Sequence, residues 1–128
     1  MIDTEIINIY FGSLDYMPIG AFVLRKDYVV LFWNRTLEFW TGIRKKEIVG
    51  TDIGDHFPHF KEPVYAGRLE TVFQGGPPTV FSSQLHKQII PSSLPGGQPR
   101  IQHTVVTTRQ AISGEGFHAI FAIQDVSE

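Results

Sequence analysis

The sequence contains no cysteine. That excludes disulfides, thiolate metal sites, cysteine nucleophiles and thiol-linked cofactors, and it suits a reducing cytosol. Also missing is any apolar run near the roughly 20 residues needed to span a bilayer. The acidic start MIDTEIINIYF has no basic segment of the kind that leads a secretory signal. Neither sign of charge is in excess: 11 Lys+Arg stand against 13 Asp+Glu, a formal net charge of −2, with no block of like sign. A phosphate backbone or an anionic membrane therefore meets no electrostatic footprint, and neither nucleic acid nor direct membrane contact is expected. What is present, 42% hydrophobic and 19% charged residues over 128 positions, suffices for one cytosolic domain with its own core.

Residues 3–12 (DTEIINIYFG) predict a short helix, capped by Asp3 or Thr4 and stopped by Gly12. Ile2, Ile6, Ile9 and Tyr10 share one face, and Ile7, Phe11 and Leu14 make a second. That is too much apolar circumference for one surface to cover. Packing on its own domain and a dimer contact through Ile2, Ile6, Ile9 and Tyr10 both stay open. The turn signal Met17-Pro18-Ile19-Gly20 separates this 1–16 segment from a domain over 17–128. Ala21–Arg25 and Tyr28–Trp33 are β-rich runs around Lys26-Asp27 and predict a hairpin. Apolar residues fill both parities, Phe22 and Leu24 against Val23, and Val30 and Phe32 against Leu31 and Trp33, so both faces should be covered.

Asn34 predicts the N-cap of a helix through Thr41, closed by Gly42. Lys45–Val49 reads as a single turn, and residues 51–60, broken by Gly54 and Pro58, as irregular. Glu62-Pro63 opens a longer helix whose buried stripe is Tyr65, Leu69, Val72 and Phe73, stopped by Gly75-Gly76-Pro77-Pro78. The period then changes to two. Thr79–Ile90, Arg100–Gln110 and Phe117–Gln124 predict strands joined by short polar connections. The order β-β-α-α-α-β-β-β predicts an α+β domain: a five-stranded antiparallel sheet with helices on one face and the N-terminal helix on the other.

Chemistry finds little purchase in this pattern. His56-Phe57-Pro58-His59 with Asp52 and Asp55 lacks a third ligand at a recognisable metal spacing, and no metal site is assigned. His86, His103 and His118 fall one per predicted strand, where unknown register decides whether they meet. Gly75-Gly76 and Gly96-Gly97 precede strands, whereas a phosphate cradle precedes a helix. No nucleophile stands beside a base, so no catalytic residue is assigned and an enzyme is not expected. The ring-rich stretch FWNRTLEFWTG (32–42) cannot form one stacking platform, because Phe32 and Trp33 must point to opposite sides of a strand.

Two segments resemble the PAS domains, sensory modules of signalling proteins. Residues 17–58 are similar to the family's start: a proline-led strand, a turn, a second strand ending in Asn, a helix closing in Gly, and the turn Glu47-Ile48-Val49-Gly50. GFHAIFAIQDVSE (116–128) is similar to the last PAS strand and the Asp-Val-Ser-Glu junction that leads to an output helix. The resemblance implies a sensor, often of a histidine kinase in a two-component phosphorelay, or of a cyclic-nucleotide-synthesising enzyme or transcriptional regulator. It implies homodimers and a missing C-terminal output domain, coupled here through Asp125 and Ser127; the parent protein could be membrane-anchored. The flavin photochemistry of the family's light sensors needs a cysteine after the Glu-x-x-Gly turn and is excluded. Haem-binding members carry a histidine on the helix placed at 62–74, where this chain has Tyr65, Leu69 and Phe73; only His59, just outside, or Tyr65 could substitute. There remains an apolar space between sheet and helices that could hold a small organic ligand. Its wall candidates are Val23, Leu31, Leu37, Trp40, Ile53, Phe57, Leu69, Phe73 and Phe81, with Arg25 and His103 as polar anchors. The same apolar residues equally describe a closed core.

Overall fold

The computed structural model describes residues 3–84 and 88–127, so Ile2 and His86 lie outside the described residues. Asp3 starts α1 (Thr4–Phe11) by accepting the backbone N–H groups of Glu5 and Ile6, donors that a first helical turn leaves without carbonyl partners. Gly12 was expected to stop this helix. Instead it keeps right-handed angles, and α1 tightens into a 3-10 segment over Gly12–Tyr16. The chain then enters the sheet.

Five strands, β1 (Gly20–Leu24), β2 (Val30–Trp33), β3 (Thr79–Phe81), β4 (Gln102–Gln110) and β5 (Phe117–Asp125), pair antiparallel in the order β2-β1-β5-β4-β3. The first strand is thus interior to the sheet, and every one of its residues is buried. Between β1 and β2 the register slips. Phe22 pairs with Trp33 and Val23 with Phe32, but Leu24 pairs with Val30, leaving Leu31 as an extra residue. The bulge sends Leu31 and Phe32 to the same side, under α1, while Val30 and Trp33 face the other helices. The strict alternation expected for β2 fails at this one residue.

Helix α2 (Arg35–Thr41) runs between an Asn34 cap and a left-handed Gly42 (φ 74°), as its local signals required. A single turn, α3 (Lys45–Ile48), follows. Residues 51–60 are more ordered than their breakers suggested. Asp52 caps α4 (Ile53–His56) by accepting the Gly54 N–H, and Pro58 opens a 3-10 turn to Lys61. Helix α5 (Pro63–Phe73) buries Leu69 and Val72 and half-buries Tyr65 and Phe73.

The expected strand over Thr79–Ile90 is corrected to the short β3. Ser82–Gln84 leave the sheet, and residues 85–87 lie outside the described residues. Ile89 and Ile90 are still buried, but a side chain replaces the ladder. The Gln102 Oε1 accepts both of their N–H groups, at 3.0 and 3.1 Å, and its Nε2 donates to the Ile90 carbonyl at 2.6 Å. Apolar character at 89–90 therefore marked core membership, not strand pairing. Two hydrophobic clusters result: a large one between the sheet and α2–α5, and a small one between the sheet and α1.

Candidate functional site

On the inner face, Leu37, Ile53, Phe57, Leu69 and Phe81 of the expected pocket wall are buried together, with Trp40 and Phe73 packed at the edge. The space they surround is filled by rings. Phe22 stacks on Phe121 at 4.2 Å, and Phe60 stands edge-on to both, at 6.1 and 6.0 Å. Trp33 lies 5.6 Å from Phe22 and 6.3 Å from Phe57. Such separations are those of aromatic rings in direct contact. Among polar atoms on this face, the Thr104 and Thr108 hydroxyls have no partner.

Four of the expected pocket residues are elsewhere. Val23 and Leu31 belong to the outer cluster beneath α1, Val23 by strand alternation and Leu31 by the bulge. Arg25 also lies on the α1 side, where its Nε and Nη2 donate to the Asp27 carboxylate, both at 2.8 Å. His103 has the opposite parity to Gln102, Thr104 and Val106, whose buried positions mark the inner side of β4. His103 and His118 do not meet: His103 pairs with Gln124 and His118 with Arg109, at opposite ends of the β4–β5 ladder. His56 bonds the Thr51 hydroxyl, His59 bonds the Ile89 carbonyl, and no metal-binding cluster occurs among the described residues.

The rings of the 32–42 stretch go separate ways: Phe32 outward, Trp33 inward, Phe39 into solvent, and Trp40 across β1. Trp40 explains Gly20, where a Cβ would lie 2.6 Å from the indole and 2.8 Å from Leu37. Above the same indole, at 4.7 Å, sits the guanidinium of Arg100. Sequence reasoning overlooked Arg100, an arginine only 8% exposed that organises the end of the sheet. It donates to the Asp125 Oδ2 through Nη1, to the Ser92 hydroxyl through Nε and to the Ser93 carbonyl through Nη2. Asp125 Oδ1 accepts the Ser127 N–H at 2.9 Å, and the Ser127 hydroxyl accepts the Ile101 N–H at 2.7 Å. Burial alone would raise the Asp125 pKa, but the bonds from Ser127 and Arg100 prevail and hold it below the ordinary carboxylate value. Asp125 and Ser127 are therefore tied through Arg100 to the helical layer.

Asn34 also does more than cap. Its Oδ1 accepts the N–H groups of Leu37 and Ala21, and its Nδ2 donates to the Leu14 and Ile19 carbonyls. One fully buried amide thereby joins α2, β1 and the segment after α1.

On the outer face α1 seals Ile7 and Phe11 against Val23, Leu31 and Phe32, and leaves Ile6, Ile9 and Tyr10 exposed by 38%, 76% and 45%. A cleft flanks the helix on either side. One, about 460 Å³, has an apolar floor of Ile7, Leu31, Phe32 and Val49 and a rim with Arg44 and Lys46. The other, about 400 Å³, is lined by Arg25, His118, Leu31 and Ile112 and reaches Asp3 and Ile6 on the helix. His118 is only 8% exposed, its Nδ1 has no partner among the described residues, and burial, then Arg25 and Arg109, lower its pKa below the ordinary imidazole value, which favours the neutral ring.

An interior β1, helices strung between β2 and β3, and a long β4–β5 hairpin make this a small α+β domain of one antiparallel sheet. The family described as PAS fold matches residues 14–128, and the chain belongs to it. Similar solved structures include a sensory box sensor histidine kinase from Vibrio cholerae (16% identity, 97% of this chain and 94% of that one, TM-score 0.67). The PAS domain of BvgS from Bordetella pertussis is similar at 16% identity, over 97% and 88% of the two chains, with a TM-score of 0.71. The PAS domain of the histidine kinase ThkA matches at 24% identity, over 85% and 100%, with a TM-score of 0.61. No curated protein matches. As a PAS domain the chain is a sensory signalling module, and no helix among its described residues is long and apolar enough to cross a membrane.

Proposed function

We propose that this is a cytosolic, homodimeric sensory domain that relays a change at its outer face to an output domain joined after β5. The division of α1 carries the reading: Ile7 and Phe11 are sealed on the sheet while Ile6, Ile9 and Tyr10 are left to water. A second copy of the same helix is the natural cover for such a face in a two-fold dimer. At the other end of the sheet, the ties from Arg100 to Asp125 and over Trp40 link strand position to the junction. Likeness to PAS domains of sensor histidine kinases supports a kinase as the output. The ring-filled core favours a second reading, a constitutive dimerisation module of a diguanylate cyclase or transcriptional regulator that takes no small ligand. Sedimentation velocity tests the shared element. Ile6→Asp with Ile9→Asp should convert a dimer to a monomer, and an unchanged mass would overturn the dimer reading.

A further inference from the structure

We propose that the cleft between α1 and the β4–β5 end of the sheet is a binding site for a small apolar carboxylic acid. The inference rests on the reading of the outer face as the input side. Its framework is the strand register. Leu24 pairs with Ala119, which sets Arg25 beside His118, and His118 pairs with Arg109, so an imidazole lies between two guanidiniums on neighbouring strands. These cations are only partly matched. Arg25 spends Nε and Nη2 on Asp27 and leaves Nη1 without a partner among the described residues. Arg109 stacks over Tyr10 at 4.5 Å and makes no ion pair among the described residues.

His118, more than nine-tenths buried, lines the cleft, and its Nδ1 lies closed off beneath the surface with no partner among the described residues. With Nδ1 closed off, a neutral imidazole offers the cleft its Nε2–H, and that group and the free edge of a guanidinium are two donors suited to one carboxylate. Ile6, Ile7, Leu31 and Ile112 wall the rest of a volume of about 400 Å³, which suits a short branched hydrocarbon tail. Asp3 also borders the cleft, but its Oδ1 is engaged in capping α1, and the carboxylate end of a ligand belongs at the sheet, beside His118. A ligand seated there would contact Ile6 and Ile7 of α1, and so bear directly on the face proposed to dimerise.

Calorimetric titration of the whole chain with 4-methylpentanoate tests this, alongside 4-methylpentan-1-amine. Saturable binding of the acid is expected, weakened at least tenfold by Arg25→Gln and by His118→Phe, with the amine bound no better than background. An independent measurement on the unaltered protein is the ¹⁵N resonance of the His118 Nε2, which should shift and saturate with the acid. Absence of saturation at millimolar acid, equal binding by the amine, or undiminished binding by both folded variants would overturn the proposal. Acid binding by a protein that sediments as a monomer would sink the dimer reading alone, so the two failures are distinguishable.

Discussion

The two faces of the sheet are built to different standards. Inside, four helices and the sheet enclose Phe22, Trp33, Phe60 and Phe121, all essentially inaccessible, with rings in direct contact. Outside, one helix of 8 residues covers a cluster of five buried side chains, Ile7, Phe11, Val23, Leu31 and Phe32, and leaves a cleft along each flank. A closely packed interior changes shape at high cost, whereas a short helix on a few contacts opens and resettles within a small part of the total stability. The proposed relay accordingly acts through the outer face, over an inner face that stays fixed.

Adjacent residues of β1 offer the sharpest way to break that contrast. Phe22→Ala should cost about 4 kcal/mol, because it opens a cavity at the centre of the ring cluster. Next, at the joint between the faces, Asn34→Ala should cost about 3 kcal/mol, well beyond the roughly 1 kcal/mol of a lost helix cap. It strands two N–H groups and two carbonyls at once. Val23→Ala, one residue from Phe22 but beneath α1, should cost only about 2 kcal/mol, since the helix can settle toward the smaller side chain. Urea denaturation measures all three. Val23 loses two methyl groups against a whole ring at Phe22, so a loss at position 23 as large as that at 22 would show the outer face at least as rigid as the inner one.

How much of this could be read beforehand follows the range of each interaction. The α2 helix was legible to the residue, because Asn34 and Gly42 act on backbone groups within a turn of themselves. The split of α1 into an Ile7–Phe11 face and an Ile6–Ile9–Tyr10 face was legible from periodicity. Leu31 was not, because nothing in Val30–Trp33 announces an extra residue; the bulge depends on what β1 offers across the hairpin. Nor was the fate of Ile89 and Ile90, whose N–H groups are taken by a glutamine 12 and 13 positions away. Arg100 was read only as the first residue of a strand, although its partners Trp40 and Asp125 are brought to it by the fold. The expected pocket wall differs at Leu31 because of that bulge, and at Val23, Arg25 and His103 because side-chain identity does not say which face of the sheet is inner.

The smallest expected effect separates the faces by pH. His118 is buried on the outer side, flanked by Arg25 with its partner Asp27, by Arg109, and across the cleft by Asp3 of α1. Its pKa in the folded state is depressed from 6.5, first by burial and then by the two arginines. The unfolded chain therefore takes up the proton more readily, and the contribution of His118 to stability, complete above pH 6.5, declines as pH falls through the folded value. Asp125, depressed from 3.8, loses its contribution only at lower pH, so the two groups act in different windows. Denaturation midpoints at pH 7.5 and 5.5 should therefore differ more for the unaltered protein than for His118→Phe, in which the titrating group is gone. A shift of the same size in both proteins would mean that acid acts elsewhere than at His118.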